Sequence, residues 1–289
     1  MRKMTDAKAL FTRWQNELNS SGIDDAEFDC TLLFQEVLGV SKSEFFSADY
    51  KLSEDKAYKI NGLIERRKKG EPLQYILGCW EFYSRKFFVG EGVLIPRDDT
   101  EVVLRATLPH LDKLTKHSEE IKILDLCSGS GILGITLKCE YRNAEVTAVE
   151  ISEKALPYLL KNAEHNNADI KVINESLYDC AHKFENNSLD LIISNPPYIK
   201  KSDLCTLQTE VLREPTLALD GGEDGCDFLR GIVSLYTDKI KIGGMLALEL
   251  DSQQAQYTKA LMEQKGFESI EIFDDLGGIH RAITGIRAK

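Results

Sequence analysis

The chain has 289 residues, of which 43% are hydrophobic and 29% are charged, and its formal net charge is −11 at pH 7. This composition is typical of a globular protein with a full core, and the length suits one large domain with a smaller one. A strongly acidic chain is poorly suited to hold the phosphates of duplex DNA or RNA, so nucleic acid is disfavoured as a direct partner.

The start of the sequence and the cysteines indicate a cytoplasmic protein with no membrane association. Met1-Arg2-Lys3 is followed by polar residues where the apolar core of a signal peptide would stand. No apolar run approaches the roughly 18 residues of a membrane span. The seven cysteines are scattered without a CxxC pair, which fits reduced thiols and gives no support to a metal site.

Residues 1–74 predict an N-terminal helical domain in which short helices are separated by capping signals. Helices are expected over residues 5–19, after Asp24, after a capping box at residues 41–44, and after Ser53. The fourth helix ends in the basic cluster of residues 66–69, which we interpret as a helix C-terminus; a nucleic-acid contact is the alternative. No residues here have catalytic spacing, so this domain is expected to serve recognition or support.

The residue composition changes over residues 75–96, and the new pattern predicts a β-hairpin linker. Aromatic and β-branched residues cluster there around Ser84-Arg85 and around Gly90-Glu91-Gly92, and Pro96 ends the segment. Asp98, Asp99 and Thr100 then offer N-caps for a helix.

Residues 97–289 alternate between strands and helices, which predicts an α/β domain with a mostly parallel, doubly wound Rossmann-like sheet. Ligands in such folds lie at the carboxyl ends of the strands. The expected strands cover residues 121–126, 145–150, 170–173, 189–194, 245–250, 268–273 and 282–286.

The segment Asp125-Leu126-Cys127-Ser128-Gly129-Ser130-Gly131 follows the first of these strands and indicates a nucleotide-type cofactor. Gly129 and Gly131 lack Cβ atoms, so the backbone can turn sharply and approach a ligand. Glu150 ends the next strand, where its carboxylate can accept hydrogen bonds from both ribose hydroxyls. The glycines also fit the GxGxxG pattern of dinucleotide-binding proteins, a weak signal alone. Asp125, four residues before the first glycine, is common in methyltransferases and favours S-adenosylmethionine.

The loop after the third strand is the candidate adenine site. Leu177 is expected to pack on the adenine ring, and Ser176 is placed to bond the adenine edge. A solvent-exposed loop with one buried leucine is the alternative.

Asn195-Pro196-Pro197-Tyr198 follows the fourth strand and is the most specific feature of the sequence. An amide or exocyclic amine is a poor nucleophile because its lone pair is delocalised. The Asn195 side-chain oxygen and the Pro196 carbonyl can accept hydrogen bonds from both N–H groups and aim that lone pair at an activated methyl group. The prolines stiffen the loop, and Tyr198 offers a flat face for a planar group. An ordinary turn after a strand is the alternative.

Beyond this motif the chain resembles the release factor glutamine methyltransferases, the HemK or PrmC type. The resemblance rests on residues 72–78 (PLQYILG), 93–101 (VLIPRDDTE), 125–131 (DLCSGSG) and 195–198 (NPPY), with a further family-like stretch at residues 214–215 and 218–225. It implies a two-domain enzyme that methylates a glutamine side-chain nitrogen in the Gly-Gly-Gln loop of bacterial peptide chain release factors. The cofactor would be held by residues 127–131, Glu150, Leu177 and Asn195, and the glutamine by residues 195–198.

The chain departs from the family pattern at several positions. They are Cys127-Ser128 for Gly-Thr, Glu150 for Asp, Asp98 for Pro, Ser176 for Asp, and Glu249-Leu250-Asp251 for Glu-x-Gly. Three other functions stay open: a ribosomal protein glutamine methyltransferase, a DNA or RNA adenine methyltransferase acting on a flipped base, and a non-catalytic binding module. The intact acceptor loop (residues 195–198) and the ribose carboxylate of Glu150 argue against a non-catalytic module.

Overall fold

The computed structural model describes residues 4–47, 50–116 and 120–288, so Met1-Arg2-Lys3 lies outside the described residues. The chain forms two compact units. One contains the residues up to Gly78 together with Thr209–Arg213, and the other contains Cys79–Gln208 and Glu214–Lys289. Among the described residues, no helix is both long and apolar enough to cross a membrane.

The first unit is mainly helical. Its elements are α1 (Ala7–Ser20), α2 (Ala26–Leu38), α3 (Lys42–Phe45), α4 (Glu54–Lys68) and α5 (Leu73–Leu77), with a short antiparallel pair of β1 (Met4–Asp6) and β2 (Lys51–Ser53). The capping signals set the helix limits: Ser41 and Glu44 form the predicted capping box, and Ser53 accepts the Lys56 N–H. Four aromatic side chains, Phe11, Trp14, Phe34 and Phe45, pack in its core.

The basic cluster at residues 66–69 stands at the C-terminus of α4, which confirms its interpretation as a helix end. Gly70 follows in the left-handed conformation with φ 80°. Three of the four cations pair with carboxylates of the same unit: Arg66 with Glu71, Arg67 with Asp29 and Glu210, and Lys68 with Glu17 and Glu65.

The second unit begins with a hairpin that is shorter than the segment predicted. Strands β3 (Cys79–Phe82) and β4 (Arg85–Phe88) pair antiparallel across Tyr83 and Ser84, both with positive φ, as a two-residue hairpin turn requires. The expected hairpin extended over residues 75–96, but residues 73–77 are helical and residues 89–97 form a loop. Gly90, Gly92 and Pro96 disfavour a regular strand in that segment.

A seven-stranded sheet forms the centre of the second unit, in the order β10-β11-β9-β8-β5-β6-β7. The strands are β5 (Ile121–Leu126), β6 (Ala144–Val149), β7 (Lys171–Ile173), β8 (Leu189–Ser194), β9 (Ile240–Glu249), β10 (Phe267–Asp274) and β11 (His280–Arg287). The five strands from β9 to β7 are parallel, and β11 is antiparallel to both of its neighbours, β9 and β10. The predicted α/β, Rossmann-like fold is confirmed.

Helices of the second unit pack on both faces of the sheet and enclose its two hydrophobic clusters. They are α6 (Thr100–Leu114), α7 (Ile132–Glu140), α8 (Leu156–His165), α9 (Leu177–Cys180), α10 (Asp227–Tyr236) and α11 (Ala255–Gln264). The chain winds from β5 outward to β7 and then returns to β8 on the other side of β5. This reversal opens a crevice at the carboxyl ends of β5 and β8.

Candidate active site

A cavity of about 310 Å³ lies at this crevice, within the second unit. Its walls come from the loop before α6, the turn after β5, the end of β6, the start of α9 and the segment after β8. Of the residues proposed from sequence, the cavity is lined by Cys127, Ser128, Gly129, Ser130, Glu150, Leu177, Asn195 and Pro197. Gly131, Pro196 and Tyr198 are outside that lining.

The turn after β5 has the backbone geometry that its glycines permit. Gly129 has φ 55°, and a Cβ placed on it would meet no atom within 4 Å, so its backbone is open to a ligand. Gly131, at φ 84°, is the N-cap of α7, and a Cβ there would lie 2.4 Å from Leu159 Cδ1. The first glycine therefore permits close approach of a ligand, and the second permits close packing of the helix.

Asp125 supports this turn from inside the protein. Its side chain is buried, and Oδ2 accepts the Gly134 N–H at 2.9 Å, which joins the end of β5 to the first turn of α7. Burial raises the Asp125 pKa to about 7, and the Gly134 N–H only partly opposes this rise. Asp125 is thus a structural carboxyl that lines the cavity floor.

Glu150 is 6% exposed, and backbone groups fix both of its carboxylate oxygens. Oε2 accepts the Gly129 N–H at 2.7 Å, and Oε1 accepts the Ser152 N–H at 2.6 Å. Burial raises the Glu150 pKa, while these backbone donors lower it. A carboxylate oxygen has two lone pairs, so each retains one for a hydroxyl in the cavity.

The candidate adenine wall consists of Leu177, which is buried, and Ser176, which caps α9. The Ser176 hydroxyl accepts the Tyr178 N–H at 3.2 Å, so its proton stays available to another acceptor. Sequence reasoning missed two lining residues here, Ile151 and Phe228. Ile151 follows Glu150 directly and could have been found from that position. Phe228 lies in α10, outside any motif.

Asn195 lies half-buried on the cavity wall, where β8 ends. Its side-chain Nδ2 donates to Thr100 Oγ1 at 3.1 Å, which leaves Oδ1 as the acceptor that the carboxamide can offer to the cavity. Of the three N-cap candidates, Asp98, Asp99 and Thr100, Asp99 takes the cap position without a side-chain hydrogen bond, and Thr100 is the first residue of α6.

Tyr198 lies outside the cavity lining, and both its hydroxyl and its backbone carbonyl are hydrogen-bonded. Its hydroxyl donates to Glu249 Oε1 at 3.1 Å, and its carbonyl accepts from Gln254 Nε2 at 2.8 Å. Gln254 Nε2 also donates to the Gly225 carbonyl at 2.9 Å. One buried glutamine thus joins the acceptor loop to the loop at residues 220–225.

The departure at Asp251 has a structural reason. Asp251 accepts the Gln253 N–H, and the Gln254 side chain accepts the Asp251 N–H at 3.0 Å, which forms a capping box at a short helix. Asp251 thereby sets the position of the Gln254 side chain that binds Tyr198.

Glu214 connects two motifs whose roles the sequence left open. Its side chain is 1% exposed, Oε2 accepts the Ile95 N–H at 2.9 Å, and Oε1 pairs with Arg97. Both Ile95 and Arg97 line the cavity. Glu214 therefore fixes the part of the cavity wall that Ile95 and Arg97 form.

Two family models match the chain: the PrmC N-terminal domain over residues 9–78 and the methyltransferase small domain over residues 102–223. The chain is 36% identical over 270 residues to a release factor glutamine methyltransferase of Geobacter sulfurreducens, covering 93% of this chain and 92% of that protein. It is 34% identical over 284 residues to the Clostridium botulinum protein of the same name, covering 96% and 97%.

A solved structure shares the fold at low sequence identity. The hMettl16 catalytic domain, solved in complex with a 3′UTR hairpin, superposes with a TM-score of 0.53 at 13% identity, covering 81% of this chain and 80% of that one.

The sheet, the cavity at its reversal point and the methyltransferase small domain define the class of this protein. It is a methyltransferase, and S-adenosylmethionine is the general methyl donor of that class. More particularly, the identities of 34–36% over most of the chain place it in the release factor glutamine methyltransferase family.

Proposed function

We propose that this enzyme transfers the methyl group of S-adenosylmethionine to the side-chain nitrogen of the glutamine in the Gly-Gly-Gln motif of bacterial peptide chain release factors. One observation carries the proposal: Glu150, suited to a ribose, and Asn195, suited to an amide, line one cavity. Relatives that bear the name of this activity match the chain from end to end.

The cofactor half of the cavity fits S-adenosylmethionine on the evidence of its polar groups. Residues 127–131 would hold the cofactor, with an open backbone at Gly129. Glu150 would accept both ribose hydroxyls through the lone pairs that Gly129 and Ser152 leave free. Leu177 packs on the adenine, and Ser176 is one candidate to bond its edge. When bound, the cofactor supplies an already activated methyl group.

The acceptor half orients the glutamine. Asn195 Oδ1 and the Pro196 carbonyl accept the two amide N–H groups, which favours a more tetrahedral nitrogen with its lone pair aimed at the methyl carbon. Methyl transfer would form an N–C bond at the glutamine nitrogen as the S–C bond of the donor breaks, and the nitrogen would then release one proton to water. Pro197 keeps this loop rigid, and Tyr198 anchors it on Glu249.

The helical unit is proposed to recognise the release factor outside the Gly-Gly-Gln loop, since it carries no catalytic residues. Deleting residues 1–78 would also remove Arg67, the partner of Glu210 in the segment Thr209–Arg213. A comparison of two substrates with the intact enzyme therefore tests recognition more directly than this deletion does. Whole release factor should show a higher kcat/KM than a short Gly-Gly-Gln peptide, and equal values would refute recognition beyond the loop.

The activity itself is tested by incubating the enzyme with methyl-labelled S-adenosylmethionine and, separately, release factor, ribosomal protein and DNA. Label is expected on the release factor, and mass spectrometry should place it on the Gly-Gly-Gln glutamine. Label on a ribosomal protein glutamine would favour that alternative. Label on adenine would do the same for a nucleic acid methyltransferase, which the carboxylate pairing of Arg66, Arg67 and Lys68 disfavours.

A further inference from the structure

A second layer of side chains lies behind Asn195 and Tyr198, contributed by the start of α6 and the end of β9. Thr100 is fully buried, and Glu249 is 1% exposed. Thr100 contacts Asn195, and Glu249 contacts Tyr198. The two outer residues of the acceptor motif are therefore each supported by a buried polar side chain.

The polarity of these contacts matters because an asparagine side chain has two chemically opposite ends. Only Oδ1 can accept an amide N–H, whereas Nδ2 is a donor and would face the acceptor nitrogen unproductively. Nothing in the shape of the carboxamide itself distinguishes the two orientations. A neighbour that accepts but does not donate is required to select one.

Thr100 can be such a neighbour if its own proton has another acceptor. A hydroxyl donates one hydrogen bond and accepts up to two. Glu249 Oε1 accepts from Tyr198, and Oε2 is buried without a hydrogen bond of regular geometry among the described residues. The Thr100 hydroxyl is nonetheless close enough to lower the Glu249 pKa as a donor, although burial is the stronger influence and raises that pKa to about 7.

We propose that Thr100 is a positioning residue that sets the orientation of the Asn195 carboxamide. In the proposed arrangement the Thr100 proton is directed to the buried Glu249 carboxylate, whose Oε2 has no hydrogen-bond partner among the described residues. Thr100 Oγ1 then accepts from Asn195 Nδ2, and Asn195 presents Oδ1 to the methyl acceptor. Glu249 also receives the Tyr198 hydroxyl, so a single buried carboxylate orients both ends of the motif. This inference rests on the proposed function, in which Asn195 binds the acceptor amide.

Thr100→Val keeps the shape of the side chain and removes the acceptor. Asn195 Nδ2 would then lose its buried partner and turn toward the cavity, where water or substrate can accept from it. The productive orientation becomes the minor one, and kcat should fall by about tenfold, as expected for loss of one buried hydrogen bond. Binding of S-adenosylmethionine, measured by calorimetry, should change less than about twofold, because Glu150 and the glycine turn are unchanged.

Two controls separate this effect from general disruption. Thr100→Ser retains the hydroxyl and should restore most of the turnover. Thr107→Val removes another fully buried hydroxyl from the same helix, one that donates to the Leu104 carbonyl, and should leave kcat unchanged. If Thr100→Val keeps its full kcat, or if Thr100→Ser is equally impaired, the positioning role is wrong.

Glu249→Gln tests the carboxylate end of the relay, that is, of the proposed hydrogen-bonded chain from Glu249 through Thr100 to Asn195. A glutamine there can donate to Thr100, which frees the Thr100 proton for Asn195 Oδ1 and permits the flipped carboxamide. Its kcat should fall, both through Asn195 and through the changed partner of Tyr198. The double variant with Thr100→Val should be no slower than Glu249→Gln alone, because the effect of Thr100 on the Asn195 amide is already lost there. Additive losses would contradict the relay. Should Thr100→Val not fold, a full kcat in Glu249→Gln would overturn the proposal.

The orientation can also be read without any methyl acceptor. In the wild-type enzyme the Asn195 side-chain NH2 signals, assigned by their loss in Asn195→Ala, should exchange slowly with solvent. They should exchange faster in Thr100→Val and not in Thr107→Val. If the wild type methylates no release factor, the proposed function fails while this measurement still decides the orientation. Equal exchange in all three proteins would refute the role of Thr100.

Discussion

The two halves of the cavity are built in different ways. On the cofactor side, Glu150 is held by the backbone N–H groups of Gly129 and Ser152, which lie at the ends of adjacent strands. On the acceptor side, Asn195 and Tyr198 are held by side chains from α6, β9 and the segment after it. Backbone donors follow from the fold alone, whereas side-chain supports can be lost by a single substitution. Activity should therefore be more sensitive than cofactor binding to substitutions around the cavity.

Asn195→Ala should give the largest effect and would sharpen this comparison. Removing the acceptor oxygen should lower kcat by about a hundredfold or more, by analogy with loss of one oxyanion-hole group. Cofactor affinity should fall much less, because Glu150 and the glycine turn are untouched. Single-turnover methylation and calorimetry on the same preparation would measure both quantities.

Asn195→Asp is the matched variant, since it keeps the shape and an acceptor oxygen while adding charge. It should retain part of the activity, and its charge near the sulfonium should leave cofactor binding equal or tighter. Full activity in Asn195→Ala would remove Asn195 from the acceptor role.

Glu150→Ala tests the cofactor side. Removing the charged acceptor of the ribose hydroxyls should weaken binding of S-adenosylmethionine by about 1.5–3 kcal/mol, the range for one charge-assisted hydrogen bond. At saturating cofactor, kcat should recover much of its wild-type value, which distinguishes this variant from Asn195→Ala. An unchanged dissociation constant in the folded variant would exclude Glu150 from the site.

The same contrast explains what could be predicted from the sequence. Strands β5 and β8 were predicted at their observed limits because each is an apolar run that ends in a motif. β9 begins at Ile240, five residues before the predicted start, because Gly243 and Gly244 break the apolar pattern. The two three-residue strands of the first unit are too short to show any periodicity.

Within the site, the cavity-lining residues of the glycine turn and Glu150 were found because strand order brings neighbouring strand ends together. The supports of the acceptor loop were not found. Thr100 lies 95 residues from Asn195, and Gln254 lies 56 residues from Tyr198, so no local spacing relates them. Glu214 likewise reaches Ile95 across 119 residues. Such pairs can be identified only from the folded structure.

Gln254→Met should have a moderate effect that is confined to the acceptor side. It keeps the length of the side chain but leaves the Tyr198 and Gly225 carbonyls without their shared donor, which should cost about 1–3 kcal/mol of stability. Urea unfolding would measure this loss. Gln253→Met alters the exposed neighbour and should change stability by less than about 0.5 kcal/mol. Equal stability of the two variants would show that Gln254 does not hold the acceptor loop.

Asp125 concerns a different quantity, the way in which stability depends on pH. Burial raises its pKa to about 7 in the folded protein, whereas an unfolded aspartate has its ordinary value near 3.8. The folded state therefore binds more protons between these two values, and stability falls as pH rises through that window. The favourable contribution is complete below about pH 4 and is lost by about pH 7.

Asp125→Asn cannot ionise and should flatten the decline of Tm between about pH 5 and pH 8, without abolishing it, because Glu249 has a similarly raised pKa. Calorimetric scans of both proteins across this range would measure the slopes. The asparagine can still accept the Gly134 N–H, so the fold of the turn is retained. Identical slopes would mean that Asp125 is already ionised at low pH, and a steeper slope in the variant would reverse the sign of its contribution. Either result would show that the cofactor side, too, depends on a buried charge and not on backbone donors alone.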